Sequence, residues 1–321
     1  MSYLLVFLIL GVVIFVHEFG HYLAMRWCGV RVLEFTIGFG PKLWSTRLKN
    51  GTIFSIRAVL FGGFTKPLSA RAEALGNVAD WKAYYRERGE LTKELKREIR
   101  GLNFRLFFDL IDWPKDSLPK DSIEAKKFLQ MVFIYMAGMI VNVLFAILIL
   151  AAAYYLMGGF PTGLSRWVIW APTSLQPLVA AAVAPTHLWL MTPSMVFDLL
   201  INFKTMMSSV AGPVGIIVVG GQIVSSETNY LDCLVATLRF VGLICGAIAG
   251  FNLIPLVPLD GGRIVEMGVR RVFGCYGTLV FQIIGFTFIL LVLILIFLAD
   301  GTRLYHLLVG WVTTHISSMS K

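Results

Sequence analysis

Apolar residues gather into four long runs, Tyr3 to Leu23, Phe128 to Met157, Leu231 to Val257 and Tyr276 to Leu298, each long enough to cross a bilayer as a helix. Between them the pattern changes. From Val30 to Phe64, β-branched and aromatic residues are punctuated by glycine, and Lys49-Asn50-Gly51-Thr52 predicts a hairpin turn between strands over Leu43 to Leu48 and Thr52 to Leu60. From Ser69 to Glu124 the chain is charged: Glu90 to Arg100 reads as a solvated helix, with Trp113-Pro114 and Leu118-Pro119 as breaks. From Gly158 to Tyr230, six prolines stand among apolar residues, which suits helices lying along the membrane surface or dipping into it. The first run is not expected to be a cleaved signal, because no Lys or Arg precedes it and a histidine motif occupies the place of a small-residue cleavage site.

The expected fold class is an α-helical polytopic membrane protein: a four-span core with a small membrane-associated β-sheet after the first span. Its divisions are a first span (1–25), a β-hairpin region at the membrane (26–66), a charged cytoplasmic insert (67–127), a second span (128–157), an outer loop with surface helices (158–230), a third span (231–262), and a connection, fourth span and tail (263–321). Composition agrees, since 57% hydrophobic residues cannot be hidden inside a soluble domain of 321 residues. Charge orients the bundle. Of 28 Lys and Arg, 20 fall between Ala24 and Lys127, whereas Gly158 to Tyr230 holds only Arg166 and Lys204. The positive-inside rule makes the first loop cytoplasmic and puts both termini outside. The net charge of +9 then reads as topology and contact with anionic lipid, and no basic motif points to nucleic acid. Cys28, Cys233, Cys245 and Cys275 form no C-x-x-C pair and read as packing thiols. His187, His306 and His315 lack a second ligand at helical spacing and read as interfacial.

Chemistry is concentrated at His17-Glu18-Phe19-Gly20-His21, at the cytoplasmic end of the first run. Residues four apart on a helix are rotated by about 40° and separated by about 6 Å, so His17 and His21 can share a metal. Glu18 points off their axis, where it can act on a metal-bound water without being a ligand. Ionisable groups inside a span cost roughly 2.5–3.5 kcal/mol each, so three together call for metal, partners or function. A third ligand is sought in the third run, where Asn252-Leu253-Ile254-Pro255-Leu256-Val257-Pro258-Leu259-Asp260-Gly261-Gly262 breaks the helix with two prolines and ends in a carboxylate. Asp260 is the candidate. A plain helix stop with an exposed Asp is the alternative reading, and Glu266 the fallback ligand.

Together, H-E-F-G-H and N-x-x-P-x-x-x-x-D-G-G resemble the site-2 protease family of intramembrane zinc metalloproteases. Gly29 to Val32, Phe35 to Gly40, Phe61-Gly62-Gly63-Phe64 and Ala211 to Ile216 are similar to the bacterial branch that cleaves anti-sigma factors and signal-peptide remnants. Two departures stand out. Ala137-Gly138-Met139-Ile140-Val141-Asn142 keeps the family's asparagine without its proline, and residues 158–230 are too short and apolar for the branch's PDZ domains. The resemblance implies that His17, His21 and Asp260 hold Zn²⁺, that Glu18 is the general base, and that the substrates are transmembrane proteins of a bacterial inner membrane, cut near its cytoplasmic side. Asn142 and Asn252 are candidates to hold the substrate backbone or the developing oxyanion, with interhelical hydrogen bonding as the alternative. A transmembrane substrate must unwind to expose its peptide bonds, and Thr52 to Leu60, or Leu43 to Leu48, could accept it as an added strand. The alternative is a sheet that only braces the first span. Two other functional classes remain at this stage: a non-catalytic membrane scaffold of the same fold, and a metal transporter.

Overall fold

The computed structural model describes residues 2–68, 120–123, 125–159, 172–201, 212–227 and 229–319. Residues 69–119 of the charged insert, including the expected helix over Glu90 to Arg100, lie outside the described residues, as do the side chains of Cys275, His306 and His315. In chain order the elements are α1 (Ser2–Trp27), β1 (Val32–Arg47), β2 (Ile53–Pro67), α2 (Phe128–Met157), α3 (Gln176–Ile201), α4 (Pro213–Ser226), α5 (Tyr230–Asn252) and α6 (Asp260–Met319). Four segments are long and apolar enough to cross a membrane: Leu4–Trp27, Phe128–Met157, Tyr230–Asn252 and Tyr276–Leu298. The third ends sooner than the apolar run does. Pro255 and Pro258 cannot continue the helical ladder, so residues 253–259 form turns and a new helix starts at Asp260.

α1 packs on α2 through a close backbone approach at Gly20, where a Cβ would come within 2.6 Å of the Ala137 carbonyl oxygen. Its other face carries Phe15, Phe19 and Tyr22; Tyr22 stacks on Phe35 of β1, the other two rings meet Phe35 at a tilt, and Phe35 in turn stacks on Phe54 of β2. That aromatic pile fixes the sheet to the helix. α3 and α4, from the proline-rich region, pack against the spans: α3 on α2 and α5, α4 on α1 and α5. The start of α4 is held by the buried Asp300 of α6, whose Oδ1 accepts from the backbone N–H of Gly212 (3.2 Å) and of Gly215 (3.1 Å).

The turn at residues 48–52 forms as the sequence predicts, with the Gly51 N–H on the Leu48 carbonyl and the Thr52 N–H on Asn50 Oδ1. The strands around it run longer than expected and fold back on themselves. Ser55 pairs with Ser45 on one side and with Thr36 on the other, and Thr36 pairs again with Phe64. Across the sheet the order is therefore residues 42–47, 53–57, 32–37 and 63–67. This corrects one of the two expected edges: the first half of β2, within Thr52 to Leu60, is interior, with partners on both sides, because β1 doubles over it, whereas the alternative, Leu43 to Leu48, does lie on an edge. Among the described residues the edges are 42–47 and 63–67, and the second of these lies against α1 beside Glu18.

Candidate metal centre and active site

A helix turns about 100° per residue, so His17 and His21 share one face of α1 and Phe15, Phe19 and Tyr22 share another roughly 150° away. Glu18 falls between the two. His17 Nε2 and His21 Nε2 are 3.2 Å apart, and each is 3.1 Å from Asp260 Oδ2. Zinc held tetrahedrally at about 2.0–2.1 Å separates its ligand atoms by about 3.3 Å, so the triangle matches one face of such a tetrahedron to within about 0.2 Å. The donor set agrees with the geometry. Two imidazole nitrogens and a carboxylate oxygen converge on one point, with both histidines 6% exposed. Among the described residues this is the one group of three His, Cys, Asp or Glu side chains close enough to hold a metal ion.

Each ligand has its own support. His21 Nδ1–H donates to the Ile134 carbonyl of α2 at 2.8 Å, which leaves the Nε2 lone pair facing the site. A Cβ at Gly138 would collide with that Nε2 and come within 2.9 Å of His17 Cε1, so glycine there lets α2 back onto the two rings. Asp260 occupies the first position of α6, and its neighbours Gly261 and Gly262 press their backbone into the turn at Leu253 and Leu256, where any side chain would clash. Burial pushes the Asp260 carboxyl up, but His21 and His17 beside it outweigh this and hold it well below the usual carboxylate range.

Glu18 faces the sheet. Its carboxylate Oε2 accepts from Thr65 Oγ1 at 2.9 Å, and the same hydroxyl lies 3.0 Å from the Glu18 carbonyl oxygen. Gly63 makes the approach possible, since a Cβ there would come within 3.2 Å of Glu18 Cγ and 2.7 Å of the Thr36 carbonyl oxygen.

Of the two asparagines, Asn142 is fully buried on α2 with Nδ2 3.5 Å from His17 Nδ1, and its Oδ1 has no partner. Asn252 ends α5, half-buried, with Nδ2 donating to the Ile248 carbonyl at 3.0 Å. Glu266, the fallback ligand, is buried elsewhere, accepting from Gln282 Nε2 at 2.6 Å and from Arg263. His187 is exposed on α3 and stands outside the cluster. Cys28, Cys233 and Cys245 are free thiols.

Sequence reasoning missed Thr65, Gly138 and the Ile134 carbonyl. The first two had a signal. Phe61 to Phe64 was a recognised stretch that stops one residue short of Thr65, and Ala137-Gly138 was read only for its missing proline.

A family model described as peptidase family M50 matches residues 5–297. A candidate zinc metalloprotease of Pasteurella multocida is 32% identical over 155 residues, 48% of this chain and 26% of that protein. The regulator of sigma-E protease RseP of Escherichia coli is 53% identical over 64 residues, 20% of this chain and 14% of that protein. A candidate zinc metalloprotease of Xylella fastidiosa is 53% identical over 61 residues, 19% of this chain and 14% of that protein. These alignments span about a quarter or less of the curated relatives' own lengths. The family match, by contrast, runs from the first span through the histidine motif and the Asp260 loop into the fourth, and the chain belongs to peptidase family M50.

Proposed function

We propose that this protein is an intramembrane zinc endopeptidase that hydrolyses peptide bonds within or near transmembrane segments of membrane proteins. One observation carries the reading: His17 Nε2, His21 Nε2 and Asp260 Oδ2 stand 3.1–3.2 Å apart at the end of an apolar helix, with a carboxylate, Glu18, next to the first ligand. His17, His21 and Asp260 would hold Zn²⁺, which supplies Lewis acidity that brings a water to nucleophilic strength near neutral pH. With the metal bound, Glu18 would be the group to accept the proton of the attacking water and pass one to the leaving amine. Thr65 fixes which way the Glu18 carboxylate points. Asn252, with one amide proton on Ile248 and a second free in its donor inventory, is the candidate to hold the substrate backbone or the developing oxyanion.

A helical substrate span has no peptide bond to offer until it unwinds, and its freed N–H and C=O groups then need partners at membrane depth. The outer edge of residues 63–67 supplies them beside Glu18, with main-chain hydrogen bonds that tolerate many side chains. A proline substituted at Phe64 or Lys66 removes one backbone donor, and one of the two positions is expected to cut turnover about tenfold or more with zinc retained. The charge asymmetry supports a site toward the cytoplasmic side, and the family's bacterial members suggest a bacterial inner membrane. Candidate substrates are single-span proteins such as anti-sigma factors and signal-peptide remnants. In place of PDZ domains, α3 and α4 packed on the spans would form the outer boundary of the substrate path.

The test is cleavage of a panel of single-span membrane proteins by the purified protein in liposomes. The expected result is a cut mapped within or near a substrate span, lost with a chelator and regained with zinc. Stoichiometric zinc with no cleavage of any panel member would point to a substrate-holding scaffold instead.

A further inference from the structure

Asn142 poses a problem that the proposed catalytic cycle does not use. It sits fully buried in α2, its carboxamide faces the Nδ1 side of His17, and its Oδ1 has no hydrogen-bond partner. An amide carbonyl sealed from water without a donor costs about 1–3 kcal/mol, so an orphan of this kind asks for an explanation. His17 provides one. Its Nε2 is the atom turned to Asp260 and His21, and a neutral imidazole that gives its Nε2 lone pair to a metal carries its single ring proton on Nδ1. That Nδ1–H then needs an acceptor. The group facing it at 3.5 Å is the Asn142 amide nitrogen, a second donor, and two donors cannot satisfy each other. Oxygen and nitrogen of a carboxamide have nearly the same shape, and a half-turn of the amide exchanges them in place.

We propose that Asn142 is a positioning residue of the metal centre: with the site loaded, its Oδ1 accepts the Nδ1 proton of His17 and fixes the tautomer and plane of that ligand. The inference rests on the zinc reading above. It pairs the two histidines, because the Ile134 carbonyl already does the same for His21 from the same helix, two turns away. One face of α2, from Ile134 past Gly138 to Asn142, therefore holds the outer nitrogens of both imidazoles, with Gly138 giving the clearance between them. It also separates Asn142 from Asn252. A residue that stabilises an oxyanion must donate, whereas a residue that orients His17 must accept.

Two substitutions divide those roles. Asn142→Leu keeps the volume and removes both functions, and Asn142→Asp keeps an acceptor and removes the donor. Zinc affinity is measured on detergent-purified protein by competition with a chromophoric chelator, and the ligand field by visible absorption of the Co²⁺-substituted protein. The Leu variant is expected to bind zinc about 10–100-fold more weakly and to shift or broaden the Co²⁺ bands. The Asp variant is expected to stay within about threefold of the parent in affinity and to keep the bands, since carboxylates are common partners of metal-bound histidine. A Leu variant that binds zinc like the parent overturns the proposal, and so does a folded Asp variant as weak as Leu, because the donor would then be the group that matters. A parent that binds no zinc overturns the metal reading, and the role of Asn142 falls with it; a parent that binds zinc with an unaffected Leu variant overturns the role of Asn142 alone. Should the Leu variant not fold, solid-state NMR of the zinc-loaded parent decides: proximity of the His17 Nδ1 proton to the Asn142 carbonyl carbon is expected, and a Nδ1 without a proton overturns it.

Discussion

The two faces of α1 are built to different standards. Toward α2, His17 and His21 are buried, their outer nitrogens meet groups on one helix, and glycines at 20 and 138 bring backbone against backbone. Toward the sheet, Glu18 is half-buried and is held by a single side chain, Thr65, on a strand whose far edge is open among the described residues. The difference matches the demands on each group. A metal ligand has to stay where it is through every turnover, so rigid packing serves it. A general base, the role proposed for Glu18, has to take a proton from water and pass one to the leaving amine, so a lighter restraint next to the edge proposed to receive substrate suits it. Removing a group from the first face should therefore cost the metal, and removing one from the second should cost only rate.

The largest effect is expected at the ligands. Asp260→Ala opens the triangle of donor atoms, leaving two histidines, and zinc content by elemental analysis should fall to background together with proteolysis. Stoichiometric zinc in that variant would transfer the third ligand to another residue. Next comes Glu18→Gln, which keeps the shape and leaves the ligands untouched. Zinc should stay bound while kcat falls by about 10²–10⁴-fold, the usual worth of a positioned acid–base group. Cleavage near the parental rate would remove Glu18 from the mechanism and with it the contrast between the faces.

How legible these faces are in the sequence follows from what each depends on. The histidine face could be read at once, because helical periodicity alone puts His17 and His21 together. Asp260 could be named because two prolines and two glycines mark a broken helix that must line a cavity. That it would meet histidines 239 and 243 residues earlier is tertiary information, which local pattern does not hold. The four spans were plain from apolar length, except at the third, where prolines end the helix before the apolar run ends. The sheet was half legible. Its turn follows from Asn50-Gly51, and of the two expected edge segments Leu43 to Leu48 does lie on an edge; the doubling of β1 around the first half of β2 depends on register over long strands, so neither the burial of that half nor the second edge at 63–67 could be read locally. Residues 69–119 of the insert lie outside the described residues, and the helix expected there rests on the charge pattern alone.

A smaller effect is expected at Thr65, and it tests the second face directly. Thr65→Val is nearly isosteric and removes the hydrogen bond to the Glu18 carboxylate. A hydrogen bond to a charged group is worth about 1.5–3 kcal/mol, so if it serves to aim the carboxylate, kcat should fall about tenfold with KM and zinc unchanged. Thr65→Ser restores the hydroxyl and should recover most of the rate. A Ser variant as slow as Val would show that the methyl group and the packing of the strand matter, and not the aim of Glu18.

The smallest effect concerns the sheet away from the site, and its sign can be worked out. Glu34 on β1 accepts from Ser55 Oγ (2.9 Å) and Arg57 Nη2 (3.2 Å) and pairs with Lys42 Nζ at 3.0 Å, so it ties together three of the four segments of the sheet. Burial pushes its carboxyl up, but the hydrogen bonds from Lys42, Ser55 and Arg57 and the Lys42 charge outweigh this and hold it below the usual value of 4.5. A folded-state value below the unfolded one means that the stabilisation is complete above pH 4.5 and is lost as pH falls through the lowered value. Hydrogen-exchange protection of residues 32–37 and 53–57, corrected for the intrinsic rate, should therefore be flat from neutrality down to about pH 5 and decline only under stronger acid. Glu34→Gln should remove that decline and lower protection at neutral pH, while changing turnover by no more than about twofold, because a partly screened carboxylate whose partners are Lys42, Ser55 and Arg57 contributes little to the position of the edge. A large loss of activity in Glu34→Gln, with zinc retained, would mean that the sheet acts on catalysis as one body, and that the open face of α1 is held as firmly as the metal face after all.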